Sequence, residues 1–143
     1  MKRSEALIPL SHDHHQALYL TKVLKDSDDS EAATEAFATF WNKHGAAHFR
    51  VEEEVLLPGS GLPGPSQDEG VARLLDEHLD IRRRAMKVLA GEASLEDLKE
   101  LGAVLAGHVR FEERELFPRI ESGLDAGQMQ VLAGRIAAAE QPG

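Results

Sequence analysis

The sequence predicts an all-α protein, an antiparallel up-and-down four-helix bundle with a short extra helix at the C-terminus. Helix formers dominate, and Val, Ile and Thr never alternate over a strand length. Legible start and stop signals divide the chain into long helical stretches joined by short loops, and that layout favours antiparallel neighbours. At 143 residues the chain fits one domain with enough length to bury a core. That domain is expected to span residues 1–143, with a bundle core near 11–121 and a tail helix near 126–139.

The elements follow in order. Pro9 closes an N-terminal arm, so Ser11 or a neighbour is expected to open the first helix, near 11–25, which ends at Asp26-Ser27-Asp28-Asp29. Ser30 followed by Glu31 opens a second, near 31–57, ended by the Pro58-Gly59-Ser60-Gly61 and Pro63-Gly64-Pro65 stretch. Ser66-Gln67-Asp68-Glu69 reads as a capping box for a third helix near 67–90. Ser94-Leu95-Glu96-Asp97 begins a fourth near 95–121, and Asp125-Ala126-Gly127-Gln128 begins the tail helix. Gly91 and Gly123 suit helix C-termini.

Composition narrows the chemistry. There is no cysteine, so disulfides, iron–sulfur ligation and thiol catalysis are excluded, and any metal must be held by His and carboxylate. The net charge of −9 and the lack of a basic stripe argue against a nucleic-acid partner. Arg82-Arg83-Arg84 is the one basic cluster, and three neighbours on a helix point in three directions, as on a solvated face. Met1-Lys2-Arg3-Ser4-Glu5 leads into no apolar run long enough for a signal peptide or a membrane span, so no membrane partner and a cytoplasmic location are expected.

An internal repeat carries the functional signal. His48-Phe49-Arg50-Val51-Glu52-Glu53-Glu54-Val55-Leu56-Leu57-Pro58 recurs as His108-Val109-Arg110-Phe111-Glu112-Glu113-Arg114-Glu115-Leu116-Phe117-Pro118, with the His, the Arg, two Glu, the Leu and the Pro coinciding. The preceding helices echo one another through Asp13-His14 and Glu77-His78. Residues four apart on a helix share a face, so His48 points with Glu52 and His108 with Glu112. The same stripes carry Phe37, Trp41, Leu101 and Leu105, which places both polar pairs toward the core. Buried carboxylates need a compensating cation. Metal ions supply it: Glu52 and Glu112 can each bridge two ions, with His14 and His48 on one and His78 and His108 on the other. A mixed nitrogen–oxygen set of this kind suits iron, with manganese or zinc as alternatives. An open position would remain for a bridging oxo, hydroxo or water and for an exogenous small molecule.

The order of these motifs resembles the hemerythrin-like, HHE cation-binding family: a His on the first helix, His-x-x-x-Glu on the second, a His on the third and His-x-x-x-Glu on the fourth. Phe40-Trp41, His48 to Glu54 and Phe111 to Pro118 also read like that family, and the resemblance spans roughly residues 7–121. It implies His14, His48, Glu52, His78, His108 and Glu112 as metal ligands. Dioxygen-carrying hemerythrins place His-x-x-x-His on the third helix, whereas here Leu74 and Arg82 flank His78 at that spacing. The resemblance therefore implies an open di-iron centre that binds or senses dioxygen, peroxide or nitric oxide rather than transporting oxygen. A di-iron enzyme of peroxidase, oxidase or nitric-oxide-handling type is an alternative, and a metal-free or zinc-bound structural bundle is another. Ferritin-like Glu-x-x-His spacing is absent.

Several residues near the site remain open. His12, His14 and His15 compete on the first helix; His14 shares its face with Ala17, Leu18, Thr21 and Leu24, the most apolar choice. His44, one turn before His48, matches Val104 in the second repeat and reads as a partly exposed residue beside Trp41. Tyr19 reads as a packing residue with its hydroxyl at the bundle edge. Glu53, Glu54 and Glu113 are expected to face solvent or to support the ligands from outside.

Overall fold

A computed structural model describes residues 2–140, all of whose regular structure is helical. Helix α1 spans Ile8–Asp26, α2 spans residues 30–59, α3 Glu69–Leu89, α4 residues 95–123 and α5 Ala126–Glu140. The first four form a closed bundle in which α1 packs against α2 and α4, α2 against α3, and α3 against α4. The tail helix α5 crosses the outside, resting on α2 and α1.

The helix starts depart from the sequence expectations in instructive ways. Helix α1 begins at Ile8 rather than Ser11, because Pro9 lies in the first turn, where a missing N–H costs nothing. Ala6, Leu7 and Leu10 are buried there, so the core begins before residue 11. Helix α2 is capped by Asp29, whose side chain accepts from the Glu31 and Ala32 N–H groups, and Ser30 is already helical. The expected Ser66 capping box does not form: Asp68 caps α3 by accepting from Val71 N–H, and it also accepts from Arg119 Nη1 at 3.1 Å, pinning the start of α3 to α4. Ser94 with Asp97 forms the reciprocal box at the start of α4, and Asp125 with Gln128 does the same for α5. Gly91 takes φ +74, and the Gly91 and Glu92 N–H groups reach back to Val88 and Lys87 carbonyls, closing α3. Gly123 ends α4 without a left-handed conformation.

Helices α2 and α4 are not uniform. Residues Glu52–Leu56 and Glu112–Leu116 each form a wide π turn, closed by Leu57 N–H to Glu52 O and by Phe117 N–H to Glu112 O. Pro58 and Pro118 follow at matching positions, and neither can donate to the carbonyl four residues back, which its ring would crowd. Each of these two wide turns starts at one of the buried glutamates. A third π turn, Trp41–Gly45, occurs in α2 alone.

The hydrophobic interior lies in two parts on either side of the polar centre. One gathers Leu24, Phe37, Trp41, Ile81, Leu98 and Leu101; the other gathers Leu7, Leu56, Leu74, Phe117, Ile120 and Ile136. Among the described residues no helix is long and apolar enough to cross a membrane.

Candidate metal centre

Six titratable side chains meet in the middle of the bundle. His14, His48, Glu52, His78, His108 and Glu112 are all at most 6 % exposed, and both glutamates are at 0 %. Helix α1 supplies His14, α2 His48 and Glu52, α3 His78, and α4 His108 and Glu112. Of the three competing histidines on α1, His14 turns inward, while His12 and His15 are exposed.

The two carboxylates lie between two pairs of imidazoles. Glu52 directs Oε2 at His48 Nε2 (3.1 Å) and Oε1 at His78 Nε2 (3.0 Å). Glu112 directs Oε1 at His14 Nε2 (2.7 Å) and Oε2 at His108 Nε2 (3.2 Å). Each glutamate thus gives one oxygen to the His14/His48 side and the other to the His78/His108 side. Two groups result, His14, His48, Glu52, Glu112 and Glu52, His78, His108, Glu112, in each of which the possible ligand atoms lie within 4.8 Å of one another.

Every imidazole is held from behind. Nδ1 of His14 meets Glu113 Oε2 at 2.6 Å, that of His48 meets Asp13 Oδ2 at 2.9 Å, that of His78 meets Glu53 Oε2 at 2.7 Å, and that of His108 meets Glu77 Oε1 at 2.7 Å. The supports run in a ring: α1 holds the histidine of α2, α2 that of α3, α3 that of α4, and α4 that of α1. Fixing Nδ1 in this way leaves Nε2 of each ring aimed at the centre. Aromatic rings add to the hold, with Phe49 stacked on His78 (3.7 Å between centroids, 6° between planes) and Phe117 on His14 (5.4 Å, 19°).

Three of the supporting carboxylates are themselves neutralised. Arg82 grips Glu53 with both terminal nitrogens (2.6 and 3.1 Å), Arg73 donates to Glu77 (2.9 Å), and Arg3 donates to Glu113 (3.2 Å). Arg82 is therefore more than part of a solvated face. Asp13 differs: its neighbour is another carboxyl, Glu140 at the end of α5, and Asp13, His48 and Glu140 place possible ligand atoms within 4.8 Å of one another. Burial, reinforced by Asp13, pushes the Glu140 carboxyl up to about 7.

The charge state of the centre follows from the same contacts. Burial disfavours a charged His48, but Glu52 and Asp13 outweigh it and hold its pKa well above the usual value. His14 is raised by Glu112 and Glu113 against the same penalty, and His108 is raised to about 10 by Glu112, with Glu77 adding to the effect. Burial would raise Glu112, but His108 and His14 bring it well below the carboxylate range. In this arrangement protons provide the positive charge that the buried glutamates require. They do so incompletely: His48 Nε2, both oxygens of Glu52 and Glu112 Oε2 are buried without a hydrogen-bond partner. Unsatisfied anionic oxygens and an imidazole nitrogen facing one another fit divalent cations well.

The supporting roles of Asp13 and Glu77 have one signal in the sequence, the recurrence of an acidic residue directly before a buried histidine. Glu53 and Glu113 are among the expected outer partners, while Glu54 is exposed. Tyr19 is 72 % exposed and does not pack, and His44 is partly buried with its ring 6.4 Å from that of Phe40.

A helical bundle with a buried two-sided His/Glu centre defines a class of cation-binding protein. The chain belongs to the Hemerythrin HHE cation binding domain family, which matches residues 6–120. It is also similar to a protein from Nostoc sp. (strain PCC 7120 / SAG 25.82 / UTEX 2576) described as a DNA nickase, 30% identical over a 135-residue alignment that covers 90% of this chain and 37% of that protein. The chain thus spans little more than a third of that relative's length. No solved structure matches it significantly.

Proposed function

We propose that this protein holds two metal ions, iron foremost, on His14, His48, Glu52, His78, His108 and Glu112, and that it binds or senses a small oxidant such as dioxygen, peroxide or nitric oxide. One observation carries this reading: Glu52 and Glu112 each divide their two oxygens between the two histidine pairs, and most of those atoms lack any other partner. Bound iron would supply one-electron redox change and an open position for an exogenous ligand.

The chain's own residues do the rest. Glu113, Asp13, Glu53 and Glu77 accept from Nδ1 and so hold Nε2 of the four imidazoles toward the centre, where the ions would bind. Leu74 and Arg82 flank His78, and Arg82 is engaged with Glu53, so α3 contributes one imidazole to the centre. That count favours an open site suited to reaction or sensing over oxygen carriage.

The nicking activity named for the Nostoc protein is not carried over. The net charge is −9, and the arginines around the centre are committed to its supporting carboxylates. A location in the cytoplasm accords with this reading.

An enzyme on the same centre is the second reading, favoured by the low saturation of the proposed ions. The test is the visible spectrum of purified protein in air, without oxygen, and with nitric oxide or peroxide added. The proposal expects ligand-dependent bands that disappear in Glu52→Ala. A colourless protein indifferent to all these additions contradicts it, and sustained turnover of peroxide or nitric oxide selects the enzyme.

A further inference from the structure

The two halves of the sequence repeat are not equivalent, and the difference opens one side of the centre. Gly45 occupies the place that Leu105 fills in the second repeat, and Trp41 and His44 stand where Leu101 and Val104 lie. A Cβ on Gly45 would come within 2.7 Å of Trp41 Cε3 and 3.0 Å of Phe40 Cε2, so only glycine lets both rings lie against the helix there. The same five residues form the π turn that has no counterpart in α4. Wide turns of this kind recur at functional sites.

Beside this turn lies a small cavity of about 10 Å³, room for one water-sized molecule. His14, His48 and His108 line it at the centre, Asp13 behind His48 adds a carboxyl, and Ala17, Trp41, Phe49, Leu105 and Val109 supply hydrocarbon wall. On the surface between α1 and α2 runs a groove of about 520 Å³, bordered by Tyr19, Val23 and Thr39. Phe40 and His44 line both spaces.

From this arrangement we infer that Phe40 and His44 form the entry gate to the centre, that Gly45 and Trp41 shape the passage behind it, and that the passage admits small uncharged molecules more readily than ions or larger polar ones. The inference rests on the proposed function for the identity of the ligand. The gate itself can be tested without it. A small uncharged molecule loses little hydration on passing a largely hydrocarbon wall, whereas an ion must shed its water. The groove is the broader mouth, and rotation of the His44 ring, partly exposed and in contact with solvent, connects the two spaces.

Trp41 is the only tryptophan in the chain, so its fluorescence reports on the gate directly. Quenching by dioxygen, acrylamide and iodide is measured on the protein as purified and again after chelation of metal. Expected are efficient quenching by dioxygen and weak quenching by the other two. Phe40→Ala and His44→Ala, checked for unchanged helical content, should each raise acrylamide quenching several-fold, while Leu132→Ala, a cavity in the other part of the core, should not. If neither gate variant changes acrylamide quenching, or if Leu132→Ala changes it as much, the gate is elsewhere and the inference is overturned. Metal-loaded protein adds a second reading: His44→Ala should accelerate azide association more than nitric-oxide association, and equal effects on both count against selection at this wall. Normal quenching behaviour in a protein that shows no ligand-dependent spectrum would leave the gate standing and sink the proposed function instead.

Discussion

Asp13 accepts a hydrogen bond from His48 Nδ1 at 2.9 Å, although its own neighbours in the chain are the exposed His12 and the inward-turned His14. The same displacement occurs at Glu53, Glu77 and Glu113, each adjacent in sequence to one proposed ligand and supporting a histidine on the next helix. The ring means that no histidine is oriented by its own helix alone. Positioning of the centre is therefore a property of the assembled bundle, and damage at one support is passed to a neighbouring helix.

Removing one support should weaken metal binding without unfolding the protein. Glu77→Ala frees His108 Nδ1 and is expected to lower metal affinity by about 10–100-fold, with helical content retained. Competitive chelator titration measures this. Affinity equal to that of the wild type would show that the outer carboxylates do not orient the imidazoles.

The pH response of the metal-free protein follows from its raised histidines and lowered glutamate. His108 has a folded pKa of about 10 against an ordinary 6.5, so the stability it contributes is complete below 6.5 and is lost as pH climbs through about 10. Glu112 is held below its ordinary 4.5, so its contribution is complete above 4.5 and fades as pH falls through the lower folded value. The metal-free protein should be most stable between pH 4.5 and 6.5. Urea unfolding across this range checks it, and stability that rises from neutral to alkaline pH runs against it.

Metal binding should depend on pH in the opposite sense. Ions must displace the protons that His14, His48 and His108 hold in the metal-free protein, so loading at neutral pH should release protons and affinity should grow with rising pH beyond 6.5. Calorimetric titration in buffers of different ionisation enthalpy counts the protons. Loading that releases none contradicts imidazole ligation.

Glu140 ties the tail helix to this network. Its carboxyl holds a proton below about 7 and faces Asp13 as a second anion above it. Glu140→Gln keeps the neutral form at all pH values. Hydrogen exchange across residues 126–140 should be slower in this variant than in the wild type at alkaline pH and equal to it at acidic pH. Equal exchange at both would remove the tail helix from the network.

Asp68 gives a test of the fold apart from the centre. It caps α3 and bonds Arg119 of α4, so Asp68→Ala should destabilise the protein by about 1–2 kcal/mol, the cost typical of a lost cap. Arg119→Ala, which leaves the cap intact, should cost less.

Much of this was legible in the sequence because helical periodicity and caps are local. The four helices, the tail helix, and the inward turn of His14 rather than His12 or His15 all follow from apolar spacing. The start of α1 is less legible, because Pro9 marks the end of an arm as readily as the first turn of a helix, where a proline is harmless. The π turns were invisible: a helix with one wider turn keeps the composition of its regular neighbours. The supporting roles of Asp13 and Glu77 are not legible, because their partners lie on other helices and no periodicity along one chain segment reports a contact across the bundle. Glu140 lies at the far end of the chain from Asp13, and only the folded path of α5 brings them together.

Metal content of freshly purified protein, set beside that of Glu52→Ala and Glu112→Ala, addresses the central claim most directly. Two ions per chain in the wild type, with most of both lost when either glutamate is removed, is the result expected from carboxylates shared between the two histidine pairs. A wild type free of metal even when supplied with iron, or variants that keep both ions, would contradict it.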